Sequence, residues 1–221
     1  MRILVTGFEP FGGESENAAQ LAVAQLPQDW DHPHIELITE ILPVDFRTGP
    51  AQLRQVIAQV QPDAVICVGE AGGRTAITPE LRAGKIAAAR IPDESGYQPQ
   101  RELLDAGPEF LETRLDAAAQ VTAIRNLGLP AALSDDAGAF VCNAVFRTVL
   151  RDFAGPAGFI HLPAVRTRGA AKVGAETDPD SASSPAQNEH NWTIAELARG
   201  LQAAVLQTAS NFIYFSDQPD R

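Results

Sequence analysis

Short apolar runs that alternate with helix-forming segments are the feature that most constrains the fold of this chain. Runs rich in Ile, Leu, Val and Phe occupy residues 2–6, 64–68 and 159–162, and each is too short for a typical helix. Continuous apolar runs of this length are typical of parallel strands buried on both faces. Residues 35–42 and 131–134 are two further expected strands. The order of elements predicts an α/β fold in which helices cover both faces of a mainly parallel sheet.

Helices are expected in most of the intervals between these strands. Thr193 followed by Glu196 predicts a capping box at the start of the last helix. Pro79 and Gly84 make residues 77–89 extended rather than helical, and residues 177–187 are expected to form a polar surface loop. The expected helices are 17–26, 49–59, 110–126, 142–152 and 194–207.

Composition excludes several classes of function. The 221 residues carry a net charge of −11, which argues against nucleic acid as a partner. No apolar run has the length of a membrane span, and we expect neither a signal peptide nor membrane association. Two cysteines do not make a disulfide scaffold, so cytoplasmic residence is the expectation. Cys67, inside an apolar run, is interpreted as an inert buried thiol.

Cys142 and His161 are the strongest candidates for chemistry. A small-residue turn before Cys142 and an apolar helix after it would place its thiol at a helix N-terminus, where thiolate is favoured. His161 ends an apolar strand and could act as the base. Glu80, an acid in an apolar stretch, could orient the imidazole. Taken singly, each of these residues also has a purely structural interpretation. Cys142 could be a small buried hydrophobic residue, His161 a hydrogen-bonded core histidine and Glu80 a solvated loop acid.

Two competing kinds of site are disfavoured. The glycine-rich segments 7–13 and 69–73 match neither GxGxxG nor GxxxxGK[ST], and each carries an acid that would repel phosphate. The four histidines show no metal-ligand spacing. We therefore expect neither a metal nor a cofactor.

Five segments in one order along the chain resemble the signature segments of the pyroglutamyl peptidase I family. They run from residue 5 to residue 163, and the expected last helix also fits. The segments are Val5-Thr6-Gly7-Phe8-Glu9-Pro10-Phe11-Gly12-Gly13, Gly72-Gly73-Arg74 with Ile77-Thr78-Pro79-Glu80, Ala89-Arg90-Ile91-Pro92-Asp93, Ala137-Gly138-Ala139-Phe140-Val141-Cys142-Asn143 and Gly158-Phe159-Ile160-His161.

The resemblance implies one domain over residues 1–221, an α/β fold built as a three-layer α/β/α sandwich with a mainly parallel mixed sheet. It implies a cytoplasmic cysteine peptidase that removes an N-terminal pyroglutamyl residue from peptides through a thioester, as a homotetramer or dimer. Cys142 would be the nucleophile, His161 the base and Glu80 the orienting acid. The implied substrate pocket comprises Phe8, Phe11, Glu70, Ile91, Phe140 and Val141, with Arg90 at the oxyanion region.

The chain departs from the family pattern at several positions. Glu70 replaces a usual Gln, Leu81 follows Glu80 where Arg is usual, and Lys85 replaces a usual Asn. Asp135 and Asp136 place two acids before the Cys142 helix, and residues 164–191 match poorly. Two alternatives are a thiol amidase or acyl-transferase acting on another small N-blocked or cyclic acid, and a binding protein that keeps the pocket without catalysis.

Overall fold

The fold is described by a computed structural model that covers residues 1–165 and 190–216, with the side chains of 211–216 excepted. The strands are β1 (Arg2–Phe8), β2 (Glu36–Leu42), β3 (Ala64–Ala71), β4 (Thr78–Pro79), β5 (Arg82–Gly84), β6 (Ile86–Ala88), β7 (Gln100–Leu103), β8 (Phe110–Glu112) and β9 (Ala157–Pro163). The helices are α1 (Ala18–Gln25), α2 (Thr48–Val60), α3 (Ala117–Arg125), α4 (Val141–Asp152) and α5 (Ile194–Ser216).

A five-stranded sheet in the order β2-β1-β3-β9-β4 forms the central layer. Strands β2, β1, β3 and β9 are parallel, and the short β4 pairs antiparallel with β9. The apolar runs of the sequence therefore mark the central parallel strands. Two small antiparallel pairs, β5 with β8 and β6 with β7, lie outside this sheet.

Alternating side chains of the central strands belong to two hydrophobic cores, one on each face of the sheet. Ile66 and Val68 of β3 belong to the core built with α1, α3 and α5, whereas Val65 and Cys67 belong to the core built with α2 and α4. Burying each large apolar side chain contributes roughly 1.5–3 kcal/mol, so both faces need a helical cover. The three-layer α/β/α sandwich with a mainly parallel mixed sheet is confirmed.

The expected helix at 110–126 is wrong in its first half. Residues Phe110–Glu112 form β8, which pairs with β5, and the helix begins only at Ala117. Asp116 caps that helix by accepting a hydrogen bond of 2.9 Å from the Ala119 N–H. The amphipathic spacing over-predicted the helix because residues 110–112 pair with β5. The Asp116 cap then sets the start of the helix at Ala117.

The expected strand at 131–134 is also wrong. It reduces to isolated bridges, Ile77 with Ala131 and Glu80 with Ser134. The segment 77–89 is extended as expected, as β4, β5 and β6. The predicted polar loop at 177–187 lies outside the described residues.

Helix α5 begins at the predicted capping box. The Thr193 N–H donates to Glu196 Oε2 at 2.9 Å, and the Glu196 N–H donates to Thr193 Oγ1 at 3.2 Å. The helix covers α1 and α3 with a buried apolar face that includes Leu197 and Leu201. None of the described helices combines the length and hydrophobicity needed to cross a bilayer.

Candidate active site

The register of β3 and β9 brings two site segments together at the carboxyl end of the sheet. Gly69 of β3 is the direct partner of His161 in β9. Their neighbours at i−2, Cys67 and Phe159, point into the core shared with α2 and α4. Because side chains alternate along a strand, His161 faces the same helices. The rings of Phe159 and His161 are indeed neighbours, with centroids 4.8 Å apart and a tilt of 51° between their planes.

Helix α4 carries Cys142 onto this face. Gly138 adopts φ +73°, which only glycine tolerates without strain, and turns the chain into the helix that begins at Val141. A Cβ atom added to Gly69 would lie 2.8 Å from Cys142 Sγ. The sulfur therefore occupies the space above Gly69, next to the position of the His161 side chain.

Asn143 fixes the start of α4, and sequence reasoning gave it no role. Its side chain is fully buried, accepts the Gly84 N–H at 2.8 Å and donates to the Gly84 carbonyl at 3.0 Å. This two-way pairing ties the residue after Cys142 to β5. The only sequence signal was a polar residue inside an apolar helical run.

His161 and Glu80 form a buried hydrogen bond. His161 Nδ1 lies 2.7 Å from Glu80 Oε1, and the two residues are 5% and 1% exposed. A carboxylate at Nδ1 holds the imidazole in the tautomer that protonates this nitrogen, so that Nε2 can accept a proton. The bridge between Glu80 and Ser134 and the pairing of β4 with β9 hold the acid beside the ring.

Arg74 is a second partner of Glu80. Its Nη2 lies 3.4 Å from Glu80 Oε1 and donates to the Asp136 carbonyl at 2.8 Å. The sequence placed Arg74 in a signature segment without assigning it a role. It provides a positive charge beside Glu80, although Leu81 replaces the arginine that the family usually has next to this acid.

Burial and nearby carboxylates oppose ionisation of the Cys142 thiol. Cys142 keeps some exposed surface, yet the protein around its sulfur raises the pKa of the thiol to about 12, and the charges of Glu80 and Glu70 add to the shift. Burial is the largest cause of this shift, and a backbone hydrogen bond at Cys142 opposes it without reversing it. Burial raises the pKa of Cys67 to about 12 as well. A base is therefore needed to activate Cys142.

Phe11, Phe46 and Phe140 form an aromatic wall near the start of α4. The ring of Phe140 lies 5.1 Å from that of Phe11 and 5.4 Å from that of Phe46, measured between centroids. Sequence reasoning missed Phe46, which lies outside the matched segments. Asp93 anchors it by accepting the Phe46 N–H at 3.0 Å.

Two predicted pocket residues lie deeper than the wall. Phe8 is 2% exposed, and its ring centroid is 6.5 Å from that of Phe159 in the core. Val141 is fully buried and faces Gly49 of α2. The aromatic wall and these two residues belong to the same core cluster, with Phe11 at its partly buried edge.

Arg90 and Ile91 follow β6, which runs beside the turn before α4. The Ala88 N–H donates to the Ala139 carbonyl at 2.9 Å, and the chain then leaves toward Arg90. Arg90 is exposed, Ile91 is half-buried, and the Arg90 carbonyl accepts from Gln98 Nε2 at 2.9 Å. The backbone of this segment is therefore held close to the helix that carries Cys142.

Glu70 lies one residue beyond Gly69, and its carboxylate binds the N-terminus of α1. Its Oε2 accepts the Ala18 N–H at 2.6 Å, next to the cap formed by Asn17. An acid at a helix N-terminus is favourable because free N–H groups and the helix dipole supply positive potential. The Glu70 carboxylate, which stands where the family usually has glutamine, therefore has a hydrogen-bond partner within the fold.

The two acids before α4 also have local partners. Asp135 pairs with Arg82 at 3.1 Å, and Asp136 Oδ1 accepts the Gly138 N–H at 2.9 Å.

Across residues 1–165 and the part of 190–216 that is described, no group of three or more His, Cys, Asp or Glu side chains is arranged to hold a metal ion.

Comparison with known proteins identifies the family. A family profile described as pyroglutamyl peptidase matches residues 1–190. The chain belongs to this family. A pyrrolidone-carboxylate peptidase of Thermococcus onnurineus is 41% identical over 169 residues, which is 74% of this chain and 84% of the relative. One from Streptococcus pyogenes is 38% identical over 226 aligned positions, covering 100% of this chain and 96% of the relative.

Solved structures of the pyroglutamyl peptidase family share the fold. The pyroglutamyl peptidase I of Bacillus amyloliquefaciens superposes with a TM-score of 0.81 at 33% identity, covering 95% of this chain and 97% of that one. The pyrrolidone carboxyl peptidase of Thermococcus litoralis gives 0.82 at 26% identity, covering 100% and 98%. The expected family, its fold and its class as a cysteine peptidase are confirmed.

Proposed function

We propose that this chain removes the N-terminal pyroglutamyl residue from peptides, with Cys142 as nucleophile, His161 as base and Glu80 as the acid that orients the imidazole. The observation that carries the proposal is the buried 2.7 Å hydrogen bond between His161 and Glu80. His161 pairs across the sheet with Gly69, and the Cys142 sulfur lies above Gly69. Family membership supplies the substrate class.

The proposed reaction has two stages. His161 Nε2 takes the thiol proton as Cys142 Sγ attacks the pyroglutamyl carbonyl carbon, and the imidazolium then protonates the leaving amine as the C–N bond breaks. Water, deprotonated by His161, attacks the resulting thioester, which releases pyroglutamate and restores the thiol. Backbone N–H groups at the start of α4, with Arg90, would stabilise the oxyanion. Glu80 stabilises the imidazolium formed in each stage.

Specificity follows from the neutrality of the lactam. The aromatic wall, with the half-buried Ile91, supplies an apolar surface for the ring, and Phe8 and Val141 belong to the core behind it. The main-chain carbonyl of Glu70 accepts the lactam N–H. A free N-terminal glutamate or glutamine would bring an unpaired ammonium to this surface, which costs several kcal/mol. Proline lacks the lactam carbonyl and would leave a polar pocket group unpaired.

Steady-state rates on pyroglutamyl, prolyl and glutaminyl anilides test this proposal. We expect turnover of the pyroglutamyl substrate and a preference of at least about a hundredfold over the other two. Comparable rates on all three would reject lactam specificity and favour the thiol amidase or acyl-transferase. No turnover of any of them would favour a binding protein.

Replacing Phe11 by alanine is expected to raise KM and leave kcat close to its original value. Loss of about 2 kcal/mol of ring burial corresponds to about a 30-fold increase in KM. Phe110→Ala is the matched control, because that ring is 40% exposed on β8. An unchanged KM in Phe11→Ala, or an equal increase in the control, would place Phe11 outside the pocket.

Glu70→Gln is expected to make the thiol more acidic. Glu70 raises the pKa of Cys142, so removal of its charge lowers that pKa. Iodoacetamide should then alkylate Cys142 faster at a fixed neutral pH, and the pH at which alkylation reaches half of its maximal rate should move lower. Glu36→Gln, a change at an exposed acid of β2, controls for net charge. A shift in the opposite direction, or none, would contradict this electrostatic role.

Three further properties form part of the proposal: one domain over residues 1–221, cytoplasmic location, and assembly as a homotetramer or dimer. Apolar side chains on and near the two small strand pairs support assembly, because Leu103 is 62% exposed and Phe110 40%. Exposed apolar groups beside unpaired strand edges favour association. Light scattering should give a mass of two or four chains; a monomer at micromolar concentration would contradict this assignment.

A further inference from the structure

Glu80 shares one oxygen between two nitrogen partners. Oε1 lies 2.7 Å from His161 Nδ1 and 3.4 Å from Arg74 Nη2. The Glu80 side chain is fully buried, and that of Arg74 is 23% exposed. The ion pair is therefore largely shielded from solvent. Dissolved salt screens such a partly buried pair only weakly.

The same nitrogen of Arg74 also holds the chain that leads to the nucleophile. Nη2 donates to the Asp136 carbonyl at 2.8 Å, two residues before the Gly138 turn into α4. One guanidinium thus links the acid of the proposed triad to the backbone ahead of Cys142. A displacement of about 1 Å at such a site can cost about a hundredfold in rate.

Two further atoms of this pair are complementary. Among the described side chains, Arg74 Nε and Glu80 Oε2 are buried without a hydrogen-bond partner. One is a donor and the other an acceptor, so a small rotation would convert the single 3.4 Å contact into a two-pronged pair. Arginine and carboxylate groups form this arrangement readily, and catalytic hydrogen bonds often tighten only when substrate is bound.

We propose that Arg74 is a positioning residue of the reaction: it holds Glu80 aligned behind His161, and it aligns the entry to the Cys142 helix. The proposal rests on the proposed function. The other titratable groups described around the site include Glu70 and Cys67 on β3, Cys142 on α4 and Asp136 in the turn before α4. Without Arg74, the carboxylates of Glu80 and Glu70 face the thiol with no positive charge paired to Glu80.

Arg74→Gln tests the proposal through its effect on kcat and on pH dependence. We expect kcat for a pyroglutamyl anilide to fall by about 10- to 100-fold with KM nearly unchanged, because the Arg74 side chain binds Glu80 and the Asp136 carbonyl. Removal of a positive charge raises the proton affinity of nearby groups. The acidic limb of kcat/KM should therefore move to higher pH, by about one unit. Arg74→Lys should recover part of kcat and most of the pH shift.

Arg82→Gln is the matched control. Arg82 donates to the Asp135 carbonyl at 3.0 Å and pairs with the Asp135 carboxylate, so it anchors the same segment without contacting Glu80. We expect its kcat and pH profile to stay near those of the wild type. An equal loss in Arg82→Gln, or an unshifted pH profile in both Arg74 variants, would overturn the proposal. If the wild-type protein hydrolyses the pyroglutamyl anilide, the proposed function stands and only the role of Arg74 is rejected.

Discussion

Cys142→Ala is expected to abolish hydrolysis of pyroglutamyl anilides while the protein stays folded. Loss of the nucleophile in a catalytic triad lowers kcat by about a million-fold, to the level of background. Alanine fits a helix, and the sulfur occupies a space above Gly69 that alanine leaves open without strain. The measurement is steady-state hydrolysis together with a thermal unfolding curve.

Cys67→Ala is the matched control for this change. Cys67 is a fully buried thiol of β3 in the core with α2 and α4. Its loss should lower the unfolding temperature slightly and leave kcat within about twofold, since it removes one small buried side chain. If Cys142→Ala kept activity, or Cys67→Ala alone lost it, the assignment of the nucleophile would be wrong.

His161→Gln is expected to be almost as damaging, with kcat reduced by about ten-thousand-fold or more. Glutamine can still donate a hydrogen bond to Glu80 but cannot take the thiol proton. Because the pKa of Cys142 is about 12, the thiol should also react slowly with iodoacetamide near neutral pH in this variant. Hydrolysis and alkylation rates, measured from pH 6 to pH 10, provide two independent readings of the same role.

His34→Gln controls for the loss of an imidazole. His34 lies in an exposed loop before β2, far in sequence from the site. Its variant should match the wild type in both assays. Rapid alkylation of Cys142 at neutral pH in His161→Gln would show that another group activates the thiol.

The central sheet was readable from the sequence because buried parallel strands leave a local signature. Runs such as residues 64–68 are apolar on both faces, and their alternation with helices fixes the layer order. The helix at 110–126 was over-predicted because amphipathic spacing does not reveal that 110–112 pair with β5. That pairing joins segments distant in the chain. The Asp116 cap was a local signal, and it marks the true start of the helix.

The residues alone made Cys142, His161 and Glu80 candidates, and the family resemblance supplied their roles and the pocket residues. Glu80 and His161 are 81 positions apart, and their contact depends on the register of β4 and β9. Neither composition nor spacing fixes that register. Phe46 carries no local pattern that distinguishes it from an ordinary core residue, and Asn143 carries only that of a polar residue inside an apolar helical run. The raised pKa of Cys142 depends on burial and on two carboxylates brought in by other strands, which a helix N-terminus in the sequence could not reveal.

Trapping the acyl-enzyme tests the central claim most directly. The protein is mixed with a pyroglutamyl anilide, quenched in acid within the first turnover, digested with trypsin and analysed by mass spectrometry. Cleavage after Arg125 and Arg147 isolates Cys142 from Cys67, which lies on the peptide ending at Arg74. We predict one added pyroglutamyl group on the peptide that contains Cys142. Its presence on the Cys67 peptide, or on neither peptide while the reporter is hydrolysed, would contradict the account.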